Sequence, residues 1–271
     1  TQVKAREWEL GLVTENQMRK ESGVDGPPFV GYRLFRSVCG EFLGSMLFLF
    51  TVITVARFRS EVPDEVTANI MMISSAFGLA IFVLVYILAD VSGAHLNPAV
   101  SIGLLVGKRI SIERFVIYVV AQASRATAGA GIATTFLDYT GGGFNAIAEG
   151  VSAVDAFGAE VLCTFLLVVT VFSACDGEPS RKTAHTGPLV PLVIGMAVLL
   201  AHLVLIPIDG ASINPARSFA TAVTNNEWAD HWVFWVGPLL GGVLATIVWE
   251  AILRPDQMVE AHKDIIVAEK A

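Results

Sequence analysis

An all-helical membrane protein, with six transmembrane helices and two re-entrant half-helices arranged as an inverted repeat, is the fold class this sequence predicts. Three observations carry that expectation. The first is composition: 54% of the residues are hydrophobic and only 16% charged, with a mean hydropathy of +0.63, far from the soluble average. The second is six apolar runs of roughly 20 residues, each long enough to cross a hydrocarbon core of about 30 Å. The third is a near-duplication, Gly93-Ala94-His95-Leu96-Asn97-Pro98-Ala99 and Gly210-Ala211-Ser212-Ile213-Asn214-Pro215-Ala216.

The spans run from Ser37 to Ala56, Asn69 to Leu88, Ile112 to Leu137, Val154 to Ala174, Pro188 to Ile206 and Trp232 to Leu253. An even count leaves both ends on one side. Six Lys or Arg precede the first span, three lie between Lys108 and Arg114, two are Arg181 and Lys182, and three follow Leu253; the opposite loops hold only Arg57 and Arg59. By the positive-inside rule both termini are expected in the cytoplasm. The expected organisation is a cytoplasmic N-terminal tail (1–34), a first repeat (35–137), an extracellular connection (138–152), a second repeat (153–253) and a cytoplasmic C-terminal tail (254–271).

The formal net charge of −7 is dispersed over tails and loops and points to no nucleic-acid partner. The N-terminal stretch lacks the pattern of a cleaved signal peptide, so the first span is expected to direct insertion. Cys39, Cys163 and Cys175 fall in or at the ends of spans at no metal-ligand spacing, and neither a disulfide framework, a metal site nor a cofactor is expected. No catalytic constellation is visible, so an enzyme is not expected.

The duplication extends to the start of each repeat, where Glu41 to Val52 aligns with Glu160 to Val171. Three spans per half is an odd number, so the two halves must enter the membrane from opposite sides. After each Asn-Pro comes an apolar stretch of about 10 residues, Asn97 to Gly107 and Asn214 to Val223, which as helix reaches about half a membrane. Asn is a good N-cap and Pro suits the first helical position. Inverted symmetry brings the two N-termini together near the midplane, where irregular backbone is tolerable only along a wet cavity. The carbonyls of Gly93, Ala94 and His95, and of Gly210, Ala211 and Ser212, are then expected to form a ladder of acceptors along a pore. Each Asn oxygen caps its own half-helix, and the amide hydrogens of Asn97 and Asn214 are expected to face the lumen and donate to one passing water. The positive ends of two helix dipoles at that point oppose protons and cations.

Two Asn-Pro-Ala boxes, Asn97-Pro98-Ala99 and Asn214-Pro215-Ala216, in one duplicated six-span chain resemble the aquaporin (major intrinsic protein) family from about Phe35 to Leu253. The resemblance implies an aquaporin fold, assembly as a homotetramer and a selectivity filter formed by Phe77, His202, Ala211 and Arg217. Phe, His and Arg in that set are similar to water-selective members; Ala211 departs from the usual Cys or Thr and would widen the pore slightly. Ser218, Ala222, Phe234 and Trp235 also match the water-channel pattern. Glu41 and Glu160, repeat-related intramembrane carboxylates, are expected to accept hydrogen bonds from the half-helix loops. Gly40 with Gly44, and Gly237 with Gly241, read as small-residue helix contacts. Arg125, in mid-span, has no sequence-level account.

Gly141-Gly142-Gly143 followed by Asn145, and the long connection from Cys175 to Gly187, resemble plant-type plasma-membrane intrinsic proteins, while the C-terminal tail and the first loop depart from that group as a divergent, algal-type member would. That resemblance implies the plasma membrane as location, His185 as a cytosolic pH gate and Ser111 as a kinase site. The reading is a passive water-selective channel in a lipid bilayer that excludes protons and ions, gated by pH and phosphorylation. The alternatives are a broader pore for hydrogen peroxide, ammonia or urea, and an ion-coupled secondary transporter, against which the paired Asn at the helix breaks argue.

Overall fold

In a bilayer every backbone N–H and C=O needs a partner within the protein, and helices supply one for each interior residue. The computed structural model describes residues 29–60, 66–136, 143–175 and 189–254. The chain divides into two units. Residues 1–36 form one, described only from Phe29 where the first helix starts; residues 37–271 form the other and hold everything described below.

The helices in chain order are α1 (Phe29–Ser60), α2 (Val66–Ser92), α3 (Pro98–Val106), α4 (Ile112–Phe136), α5 (Ala153–Cys175), α6 (Val190–Asp209), α7 (Pro215–Asn225) and α8 (Val233–Val248), which ends in a π turn, Trp249–Leu253. Among the described residues there is no strand. Six of these are long and apolar enough to cross a membrane; α3 and α7, of 9 and 11 residues, are not. Two spans run past the ends hydropathy suggests. α2 continues to Ser92 and α6, through Pro207, to Asp209, because each stops only where a glycine supplies the left-handed residue a helix end favours: Gly93 at φ 88° and Gly210 at φ 79°. At the start of α4, Ser111 Oγ accepts the Arg114 N–H at 3.3 Å, an N-cap bond.

The packing interleaves the two halves. α2 lies against α6 and α5 against α8, while the half-helix α3 packs on α8 and α7 on α4. Glycines permit these approaches. A Cβ on Gly78 would lie 2.7 Å from the Gly195 carbonyl, and one on Gly195 would lie 2.6 Å from that of Gly78, where α2 crosses α6. Gly44 faces Leu88 and Leu96, and Gly241 faces the Val161 carbonyl. The half-helix has such a seat at Gly242 on α8, where a Cβ would stand 2.4 Å from the Ala99 carbonyl at the start of α3. Backbone cannot yield as a side chain can. Gly242→Ala should therefore lower stability by about 1–3 kcal/mol through overpacking, read as a fall in the thermal midpoint of the detergent-solubilised protein; an unchanged midpoint would mean α3 does not seat on α8 in this way.

Polarity is distributed as lipid requires. Leu79, Tyr86, Ile87, Val120, Leu162 and Ile252 face outward, whereas Glu41, Gln122, Glu160, His202, Asp209 and Arg217 are buried. At the end of the bundle between α7 and α8, Trp228 and Trp235 both pack edge-on against Phe219, and Trp232 packs on Phe157, an aromatic set suited to a membrane interface. His231 sits among them, accepting the Trp235 indole N–H on Nε2 at 3.0 Å, and partial burial holds its pKa below the ordinary histidine value. A ring that accepts on Nε2 is neutral.

Candidate functional site

Each half-helix is preceded by a loop of unusual backbone. Gly93, Ala94 and Leu96 have φ of 88°, 49° and 53°; their counterparts 117 positions on, Gly210, Ala211 and Ile213, have 79°, 60° and 44°. Left-handed conformations in alanine, leucine and isoleucine carry strain of order 1 kcal/mol or more each, and persist where the surroundings over-determine them. A buried carboxylate does so in each half. The His95 and Leu96 N–H groups donate to the two oxygens of Glu41 at 2.9 and 2.7 Å, and the Ser212 and Ile213 N–H groups donate to the two oxygens of Glu160 at 2.6 and 2.7 Å. Glu41 also accepts from the Ser92 hydroxyl (2.8 Å) and the Gln122 amide (2.8 Å).

At the end of each loop an asparagine caps the half-helix. Asn97 Oδ1 accepts the Ala99 N–H at 2.7 Å; Asn214 Oδ1 accepts those of Ala216 (3.1 Å) and Arg217 (3.4 Å). Pro98 and Pro215 occupy the first helical positions, where a missing N–H costs nothing. The amide nitrogens make a contact that the sequence did not show. Asn97 Nδ2 donates to the Ile213 carbonyl at 2.7 Å and Asn214 Nδ2 to the Leu96 carbonyl at 2.9 Å. One of the two hydrogens on each amide is therefore committed to the opposite loop, and a passing water is left one donor from each asparagine.

A cavity of about 110 Å³ runs past both asparagines, room for a file of several waters at roughly 10–15 Å³ each. Apolar side chains of α2, α5 and α6, such as Ile81, Val85, Val171 and Ile194, form most of its wall, and Cys175 and Val190 stand at one end. Gly93, Ala94, His95 and Ser212 border it, joined by Ile213. Gly210 and Ala211 do not: the Gly210 carbonyl accepts from Arg217 Nη2 at 3.3 Å, and the Ala211 N–H is held by Asp209 Oδ1 at 2.9 Å. The acceptor ladder expected at residues 210–212 thus contributes to the cavity from its last member onward.

Phe77 and His202, at the other end, face each other with ring centroids 3.9 Å apart, tilted by 33°. Phe48 packs edge-on behind Phe77 at 5.6 Å. His202 Nδ1 lies 2.8 Å from the Val198 carbonyl, which can only accept, so that nitrogen carries the proton; Nε2 is buried and has no partner among the described residues. The Arg217 guanidinium lies 5.5 Å from the Phe77 centroid, within cation–π range, and is tethered by Nη1 to Asn145 Oδ1 and to Thr221 Oγ1 (3.5 Å). Ala211 is fully buried beside it. Phe77 thus meets both His202 and Arg217.

Two participants escaped the sequence reading as site residues. Asn145, between α4 and α5, ties Arg217 to Ser218 Oγ (2.8 Å) and to the Asp209 carbonyl (3.2 Å). Asp209 is an intramembrane carboxylate whose signal was its place 117 residues after Ser92. His185, Arg181 and Lys182 lie outside the described residues, as do Gly141 and Gly142; Arg125 lies within α4, its side chain outside them. Among the described residues no group of three metal-ligating side chains converges.

Comparison with known proteins agrees with this geometry. The profile of the major intrinsic protein family matches residues 29–249. A probable aquaporin PIP2-8 of Arabidopsis thaliana is 45% identical over 258 residues, 89% of this chain and 93% of that protein. A probable aquaporin PIP2-7 of Oryza sativa subsp. japonica is 44% identical over 234 residues, 82% and 81% of the two chains. The solved structure of an aquaglyceroporin from Plasmodium falciparum superposes with a TM-score of 0.73 at 22% identity, covering 82% of this chain and 98% of that one, a likeness of fold. With six apolar spans, two opposed half-helices and this degree of identity, the chain is an integral membrane channel that belongs to the major intrinsic protein family, the aquaporins.

Proposed function

We propose that the chain conducts water passively and excludes protons, ions and larger neutral solutes. The observation that carries this reading is the meeting of two asparagine-capped half-helices in one narrow cavity. One amide hydrogen from each of Asn97 and Asn214 is open to a water there, so both bonds are accepted by a single oxygen whose hydrogens must point away, up and down the file. The two N-terminal dipole ends raise the energy of a cation at the same place. The identification of the plant relatives as probable aquaporins supports water as the substrate. The contact of Phe77 with His202 favours water over urea-sized solutes.

Both termini are assigned to the cytoplasm from the Lys and Arg distribution, and residence in the plasma membrane and a homotetrameric assembly follow the plant-type resemblance. Ser111 is exposed and caps α4, near Lys108, Arg109 and Arg114 in sequence; a phosphate there would meet the positive end of a helix, which suits a kinase site.

Osmotic shrinkage of proteoliposomes, recorded with an interior pH dye, tests the reading. Fast water flux without proton entry is expected, together with block by a thiol-directed mercurial through Cys175 at the cavity end that is lost in Cys175→Ser. Water flux no faster than in empty vesicles, or proton entry alongside it, would overturn the assignment.

A further inference from the structure

The two halves solve the same problem with different chemistry at one position. In the first half, the Ser92 hydroxyl accepts the Ala94 N–H at 3.0 Å and donates its proton to Glu41 at 2.8 Å. The residue 117 positions on is Asp209. Its Oδ1 does the first of these jobs, accepting the Ala211 N–H at 2.9 Å. Its Oδ2 is fully buried, receives no hydrogen-bond donor among the described residues, and belongs to a side chain set against Glu160. The neighbouring pair keeps the symmetry as well: His95 Nδ1 meets Ser101 Oγ at 3.0 Å, and Ser212 Oγ meets Ser218 Oγ at 2.6 Å.

Glu160 is also the poorer of the two carboxylates in donors. Glu41 has four, from Ser92, His95, Leu96 and Gln122; Glu160 has two, from Ser212 and Ile213. Two carboxylates side by side in a site closed to water repel strongly unless one carries a proton. A hydrogen on Asp209 Oδ2 would supply the missing donor, satisfy the orphaned oxygen and restore the pattern of the first half.

We propose that Asp209 and Glu160 hold one proton between them, and that Asp209 is thereby a specificity-determining residue of the filter. With the proton in place, the single negative charge of the pair offsets the single positive charge of Arg217, which is in electrostatic range of both. When the proton leaves to solvent at alkaline pH, two negative charges stand behind one guanidinium, and the barrier to cations at the constriction falls. The other titratable group facing the pair is Cys163 on α5, and His202 on α6 is in electrostatic range of Arg217. Asp209 holds the filter loop and sets its charge; it does not border the cavity.

This inference rests on the channel reading, and its first readout does not. Infrared difference spectra of the reconstituted full chain should show the carbonyl stretch of a protonated carboxylic acid near neutral pH. That band should disappear in Asp209→Ser, which copies Ser92, and in Asp209→Asn, whose amide mimics the protonated acid and can donate to Glu160. The second readout is potassium leak into proteoliposomes between neutral and alkaline pH, with water flux recorded on the same vesicles as a check on folding and on the channel itself. The leak of the parent should rise on the order of tenfold between neutral and alkaline pH, and this pH dependence should be absent from both variants. Absence of the band from the parent, or its persistence in both variants, overturns the shared proton. Loss of the band with an equal rise in leak in parent and variants overturns the role in specificity, and loss of water flux from the parent overturns the channel reading instead.

Discussion

Glu41→Ala should yield almost no correctly folded protein, and Glu160→Ala only somewhat more. Each carboxylate is buried and receives two backbone N–H groups from a loop whose residues are left-handed. Removing Glu41 orphans the His95 and Leu96 donors as well as those of Ser92 and Gln122, at about 1–3 kcal/mol for each buried donor left unmade. Four such losses rival the whole stability of a typical domain, about 5–15 kcal/mol. Glu160 anchors two donors, and the Asp209 carboxylate remains beside the gap to accept one, so the second variant should be the milder. Size-exclusion profiles and thermal midpoints in detergent would decide it. A Glu41→Ala protein that elutes and melts like the parent would mean the half-helix loops are held by something other than these carboxylates.

Arg217→Val should leave water flux standing and open the filter to what it excludes. The substitution removes a buried fixed charge that touches Asn145, Thr221 and the Gly210 carbonyl, and vacates the space over Phe77. A unit charge about 7 Å from a passing cation, at an effective dielectric of about 20, is worth about 2 kcal/mol, so cation leak should rise on the order of tenfold or more. Urea permeability should rise with it, since a guanidinium is replaced by a smaller apolar group. Paired measurements of water, urea and potassium flux on the same vesicles give the answer; a variant as tight as its parent would place the selective step elsewhere along the cavity.

The parts of this architecture written in local sequence were legible without coordinates. Apolar runs reported the spans, and Asn-Pro followed by ten apolar residues reported the half-helices, because capping and burial act within a few positions. What the sequence did not show lies where a group's partner comes from the other half. Asn97 and Asn214 look like free donors in isolation, and only the crossing of the loops commits one hydrogen of each to Ile213 and Leu96. The left-handed Ala94, Leu96, Ala211 and Ile213 carry no residue signal, since glycine is the usual mark of such backbone and these are held there by distant carboxylates. Asp209 was hidden for another reason: its counterpart is a serine, so a search for identical residues between the halves passes over it.

The reciprocal amide bonds also say something about how the chain is made. Translation delivers Leu96 and Asn97 more than a hundred residues before Ile213 and Asn214 exist, so the first loop must wait in the bilayer with its carbonyl and amide unanswered. Neither half-helix can reach its final depth alone, because each completes the other's last hydrogen bond. The bonds that join the two loops therefore close only after the second repeat has been made.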